Sequence, residues 1–305
     1  MTGRAMAAVL LLLGLWLAWT PDKPADELLA RYAQPGTQLL DIGGQRVYLQ
    51  DTGPRDASPI VLLHGFGASL QTWDAWAAVL EREHRVIRFD IAGFGLSGPA
   101  ADNDYSEAAD VRRVLAVLEH LGVQHSVLIG HSMGGRLAWS LAASQPQRVS
   151  RLVLIAPDGF SDPAARSDKT FEVSPLLGLI RLSLPQWALK LGLAPAYGDA
   201  TRLSDAVVTR YQDMLRAPGV RAAVIERMQQ SRNSDPVPRL KTIAAPTLLL
   251  WGDKDAMIPP ANAADYLAAM PLARSVLLPG LGHVPHEENP AASLAPVLSF
   301  LKQPG

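Results

Sequence analysis

One stretch constrains this chain more than any other: Val127-Leu-Ile-Gly130-His131-Ser132-Met133-Gly134-Gly135, followed by Arg136-Leu-Ala-Trp-Ser-Leu-Ala-Ala143. An apolar run ends in G-x-S-x-G and passes into residues that favour helix. The order reads as buried strand, sharp turn and helix, with Ser132 at the apex. A G-x-S-x-G alone arises often by chance, but between a strand and a helix it reads as a nucleophile elbow. Glycine suits positions 130 and 134 because such a turn brings neighbouring backbones too close for a Cβ.

At 305 residues the chain can bury a sizeable core, and 48% hydrophobic against 19% charged residues makes it globular. A net charge of −1 gives no electrostatic reason to expect a nucleic-acid partner. The absence of cysteine removes disulfides, thiolate chemistry and Cys-based zinc sites. Residues Ala5–Trp19 form an uncharged apolar run after Arg4. The run has no small-x-small cleavage site and carries Trp16 and Trp19, which suit a membrane interface. We expect residues 1–20 to be an uncleaved membrane anchor, with the folded part outside the cytoplasm on the periplasmic side. Secretion after signal cleavage is the alternative. Residues 21–37 read as a tether with a short helix at Asp26–Tyr32.

Gly43-Gly44 between short apolar runs reads as a β-hairpin. Pro59–Leu63 is a continuous apolar strand, and it runs into His64-Gly65-Phe66-Gly67 and then a helix at Ser69–Leu80. A glycine-rich loop after a strand presents backbone N–H groups, and near an elbow these make an oxyanion hole. The expected donors are the amides of Phe66 and Met133. Arg85–Asp90 is the next strand. Gly93, Gly95 and Gly98 after it match G-x-G-x-x-G, but Pro99 and Ala100-Ala-Asp-Asn-Asp104 follow where a dinucleotide site needs a helix. Those glycines read as a loop turning near the site. Ser106–Leu121 has a capping serine and an apolar stripe at helical spacing.

After the strand Arg151–Ala156 the strand–helix alternation stops until about Pro238. Amphipathic pieces at Leu176–Leu184, Gln186–Leu191, Ser204–Leu215 and Val220–Gln230 read as a helical cap. Leu176, Leu179 and Trp187 are candidates for an apolar, substrate-binding lining. Ala245–Trp251 and Ala273–Leu278 are the last strands. Asp255 follows the first and His283 the second, so Ser, Asp and His fall in the order of an elbow triad. An acid is needed to orient the imidazole and steady its protonated form. Asp253 reads as a turn residue, and Asp158 is a weaker choice of acid. His283 and His286 form H-x-x-H, but Pro285 interrupts any helix that would align them, so no metal is expected. His64 and His131 read as packed structural histidines, and His286 as structural or exposed.

Leu62-Leu-His64-Gly65-Phe66-Gly67, Asp90-x-x-Gly93-x-Gly95-x-Ser97, Gly130-His-Ser132-Met-Gly134-Gly135, Gly252-Asp-Lys-Asp255 and Gly282-His283 together resemble the α/β-hydrolase superfamily. The resemblance spans residues 38–303. It implies an α/β fold with a mostly parallel central sheet of eight strands flanked by helices, an inserted helical cap, and no cofactor. The core would be 38–158 and 239–305, and the cap 159–238. The resemblance puts the nucleophile at Ser132, the acid at Asp255, the base at His283 and the oxyanion amides at Phe66 and Met133. Haloalkane dehalogenases and epoxide hydrolases share the Phe66-type loop but use aspartate at the elbow, which Ser132 argues against. The implied activity is a carboxylesterase or lipase-like serine hydrolase acting on a small-molecule, lipophilic acyl ester. Carbon–carbon hydrolases of ring-cleavage products and cofactor-free haloperoxidases share the triad. A non-catalytic binder of this fold would have a broken triad, and this one is complete in sequence.

Overall fold

The computed structural model describes residues 19–160, 173–232 and 234–303. Eight strands form one sheet: β1 (Thr37–Ile42), β2 (Gln45–Thr52), β3 (Pro59–Leu63), β4 (Arg85–Phe89), β5 (Ser126–His131), β6 (Val149–Ile155), β7 (Thr247–Gly252) and β8 (Ala273–Leu278). Their spatial order is β1-β2-β4-β3-β5-β6-β7-β8. The hairpin β1–β2 is antiparallel and joins β4 antiparallel, and every pairing from β4 through β8 is parallel. Gly43 and Gly44 turn the hairpin at φ of 63° and 83°.

The continuous apolar runs of the central strands are explained by two cores, one on each face. Val61, Leu63, Leu128, Leu152, Leu154, Leu249 and Trp251 enter the first. Their sequence neighbours Ile60, Leu62, Val127, Ile129, Val153, Ile155, Leu248 and Leu250 enter the second. A strand's side chains alternate between faces, so a strand covered on both sides has no polar positions to spare. The first face is covered by α3 (Glu107–His120), α4 (Met133–Ser144) and α9 (Asn262–Ala269), and the second by α2 (Asp74–Leu80) and α11 (Pro290–Leu301). Ser106 caps α3 by accepting from the Ala109 amide at 3.3 Å. The segment expected as one helix from Ser69 instead opens with a 3-10 turn, Leu70–Trp73, before α2. Asp90 accepts from the Leu70 amide at 2.7 Å, which holds the tighter turn.

Between β6 and β7 lies a helical insertion. It contains a 3-10 stretch at Pro175–Arg181, then α5 (Gln186–Leu193), α6 (Asp205–Leu215), α7 (Val220–Gln230) and the short α8 (Val237–Leu240). It contacts loops that follow the strands. The Val284 amide donates to Ala196 O, Arg210 to Gln71 O, and Arg227 to Ala92 O. Ahead of the sheet, α1 (Ala25–Tyr32) forms close to where the sequence placed a helix.

Two expectations for the N-terminus change. Residues 1–18 of the segment 1–20, on which the membrane anchor was read, lie outside the described residues. Among the described residues no helix is long and apolar enough to cross a membrane, so an anchored chain with its folded part on the periplasmic side is withdrawn. The segment read as a tether is not free, because residues from Thr20 to Tyr32 are fastened to the insertion. The Thr20 amide donates to Leu182 O, Arg221 pairs with Asp22, and Lys23, Arg31 and Tyr32 all converge on the buried Asp213. Partner groups more than 150 positions away in the chain could not be read locally.

Candidate active site

The elbow forms as its glycines require. Ser132 sits at φ 51°, ψ −118°, a conformation unfavourable for any residue with a side chain. It is held there by the sheet: the Ser132 amide donates to Ile155 O at 2.9 Å, and Ser132 O accepts from Arg136 and Asp158 amides at 3.0 Å each. A Cβ on Gly130 would lie 2.2 Å from Gly134 O, so the strand and the first turn of α4 touch backbone to backbone. Ser132 lines a cleft of about 650 Å³.

Phe66 and Met133 line the same cleft beside Ser132. Among the described residues neither amide donates to a backbone carbonyl. The loop bearing Phe66 packs against the elbow, since a Cβ on Gly65 would lie 3.2 Å from Ser132 Cβ. His64 holds that loop from beneath. Its Nδ1–H donates to Gly65 O at 2.8 Å, while Nε2 accepts from the Ile91 amide at 2.9 Å. Full burial pushes its pKa down to about 4, so the ring is neutral, as this bonding needs.

Asp255 and His283 come together from two loops. His283 Nδ1 donates to Asp255 Oδ2 at 2.8 Å, and both side chains are buried. Asp255 Oδ1 accepts from the Met257 and Ile258 amides at 2.8 and 2.9 Å, which fixes the carboxylate. The link to the elbow runs through His131. Its Nε2–H donates to His283 O at 2.9 Å, and the two rings are 4.7 Å apart. Burial drives the His131 pKa far down, so it is a neutral strut. His286 is another. It stacks on Trp73, meets Thr72 Oγ1 at 3.0 Å and is pushed by burial to about 4. Asp253 accepts from the Gly280 amide at 2.6 Å, the turn role expected of it. Asp158 lies in the cleft beside Arg136, 3.5 Å away.

The expected lining of the insertion does not face this cleft. Leu176, Leu179 and Trp187 are 75%, 55% and 68% exposed, and none of them borders it. The insertion instead contributes Arg227, Met228, Gln230, Ser231, Arg232 and Ser234. Phe66, Leu137 and Ile258 add apolar wall. Four arginines in the wall, Arg136, Arg227, Arg232 and Arg239, were not singled out from sequence. Arg227 pairs with Asp110 and lies over the Phe94 ring, whereas Arg136 and Arg239 share Glu107. The one local signal was Arg136, placed by its register in the first turn of α4. Phe94, from the glycine loop, packs edge-on against Phe66 at 5.4 Å, so that loop does turn beside the site.

A mostly parallel sheet whose strand–turn–helix elbow carries a serine, with an Asp–His pair on the loops after β7 and β8, defines the class. The model of the α/β hydrolase fold family matches residues 58–290, and the chain belongs to that family. It is a hydrolase of that fold. It is 31% identical over 257 residues to a pimeloyl-[acyl-carrier protein] methyl ester esterase of Edwardsiella ictaluri, covering 81% of this chain and 93% of that one. It is 32% identical over 234 residues to a 2-hydroxymuconate semialdehyde hydrolase of Pseudomonas putida, covering 73% and 79%. Among solved structures, a membrane phospholipase A described as a bacterial virulence factor superposes with a TM-score of 0.76 at 25% identity, covering 98% of this chain and 97% of that one.

Proposed function

We propose that this hydrolase cleaves carboxylic esters through an acyl-enzyme, with Ser132 as nucleophile, His283 as base and Asp255 as acid. The observation that carries the reading is the 2.8 Å hydrogen bond from His283 Nδ1 to Asp255 Oδ2 beside a strained serine elbow. With Nδ1 donating, Nε2 holds the lone pair that takes the Ser132 proton. The serine oxygen attacks the ester carbonyl, and the amides of Phe66 and Met133 stabilise the oxyanion. His283 then protonates the leaving alcohol, and water hydrolyses the acyl-enzyme by the reverse sequence.

We assign the insertion, residues 159–238, as a cap on a core of 38–158 and 239–305; residues 161–172 and 233 of it lie outside the described residues. The substrate is a small lipophilic ester. Phe66, Met133, Leu137, Met228 and Ile258 line the cleft, whose volume is that of a small-molecule site. Similarity to a methyl ester esterase and a phospholipase supports this class. A second reading, hydrolysis of a ring-cleavage product, is favoured by the 32% identity to the semialdehyde hydrolase. The test is turnover of p-nitrophenyl esters from acetate to palmitate, run beside a yellow ring-cleavage dienoate. Ser132→Ala lowers ester kcat by about 10⁴-fold or more. An unchanged rate in that variant removes the assignment, and turnover of the dienoate alone selects the second reading.

A further inference from the structure

The two acids that follow His283 hold the insertion in different ways. Both lie in α10 (Pro285–Glu288). Glu287 reaches side chains: Arg210, Tyr197 Oη at 3.1 Å and Tyr211 Oη at 3.2 Å. Glu288 reaches only backbone among the described residues, and its partners lie on two separate segments. Its Oε2 accepts from the Gly282 amide at 2.7 Å and the Gly198 amide at 3.0 Å, and its Oε1 from the Asp199 amide at 2.9 Å. Gly282 immediately precedes His283, whereas Gly198 and Asp199 belong to the insertion.

The two segments are in direct contact. A Cβ on Gly282 would lie 2.4 Å from Gly198 N, and one on Gly198 would lie 2.5 Å from Gly280 O. The Val284 amide donates to Ala196 O at 3.2 Å on the other side of His283. Glu288 is buried, 7% exposed, and one carboxylate therefore satisfies three amides at this seam.

We propose that Glu288 is a positioning residue: it locks the insertion segment Ala196–Asp199 onto the Gly282–His283 backbone and so sets the place of the base. This rests on the reading of His283 as base. The carboxylate transfers no proton. It fixes the height and tilt of the loop that carries the imidazole, and the cap then holds the catalytic geometry as well as covering it.

Glutamine at 288 keeps the shape but sets an N–H₂ group against at least one of the three amides. The test measures kcat, KM and active-site concentration, the last by titration with a fluorophosphonate, for wild type, Glu288→Gln, Glu288→Asp and Glu287→Gln. Glu288→Gln is expected to lower kcat per active site by about 10- to 100-fold, the scale of a small misplacement of a catalytic group. KM stays within about 3-fold. Glu288→Asp, shorter but still charged, falls between. Glu287→Gln loses thermal stability and keeps kcat per active site. A Glu288→Gln enzyme with wild-type kcat per active site overturns the proposal, as does a loss explained wholly by fewer active sites. If Glu288→Gln does not fold, Glu288→Asp at wild-type kcat per site overturns it. A wild-type protein that turns over no ester and does not react with the fluorophosphonate refutes the parent reading instead.

Discussion

The elbow and the insertion border the same cleft but are held by different physics. At the elbow, backbones meet where no Cβ fits, and the strand hydrogen bonds of β5 and β6 hold Ser132 in a strained conformation. Such contacts have one solution, which suits a group whose position decides chemistry. Outside the seam where Gly198 meets Gly282 backbone to backbone, the insertion is fastened largely by side chains: Asp213 to Lys23, Arg31 and Tyr32, Asp22 to Arg221, Glu287 to Arg210. Those pairs can be exchanged without redrawing the backbone. The core therefore carries the candidate catalytic residues, and away from the Gly198–Gly282 seam the insertion can vary the wall of the cleft.

The largest expected effect breaks the elbow. Gly130→Ala puts a Cβ 2.2 Å from Gly134 O, and the neighbour is backbone that cannot swing away. A stability loss of about 4 kcal/mol or more is expected in urea unfolding, beyond the usual range for one substitution. A variant of near wild-type stability would show that the elbow can yield as the insertion does.

Acid separates the regions next. His64 and His286 are buried on the core side of the site, and burial lowers both from the ordinary 6.5 to about 4. The unfolded chain takes up protons that the fold refuses, so stability is full above about pH 6.5 and falls as pH drops towards 4. By pH 4 the loss is on the order of 3 kcal/mol per ring. Unfolding midpoints at pH 7 and 4.5 measure it, and a flat profile would mean that these rings are not held neutral.

The smallest effect tests the fastening of the insertion. Asp213→Asn keeps the shape and removes the charge that three groups share. We expect a loss of about 2 kcal/mol, since Arg31 is half exposed and contributes little. Calorimetry should show the lower melting temperature while kcat per active site stays unchanged. A fall in kcat would place the N-terminal segment in the same mechanical unit as His283.

These differences track what could be read locally. Strands such as Pro59–Leu63 were legible because burial on both faces leaves no polar position. Ser132 was legible because its glycines and flanking elements are all within a few residues. Asp255 and His283 were found by their order after two strands, although they lie 28 positions apart. The insertion's helices were legible from their amphipathic spacing, but which side of them meets the cleft was not. Leu176, Leu179 and Trp187 have the composition of a lining, yet they face solvent. Apolar periodicity says that a face exists, not what it packs against. Arg227, an unremarkable helix residue in sequence, lies in the cleft wall because Asp110 and Ala92 O happen to converge there.

The amino-acid sequence by itself determined the parallel sheet, the serine elbow and the order of the three candidate catalytic residues. All three follow from local periodicity and from turns that only certain residues can make. Tertiary structure alone decided which arginines wall the cleft, that residues from Thr20 to Tyr32 strap the insertion, and that Glu288 joins it to the His283 loop. Each of those depends on segments distant in the chain meeting at hydrogen-bond distance, and no local pattern encodes where a side chain's partner will be.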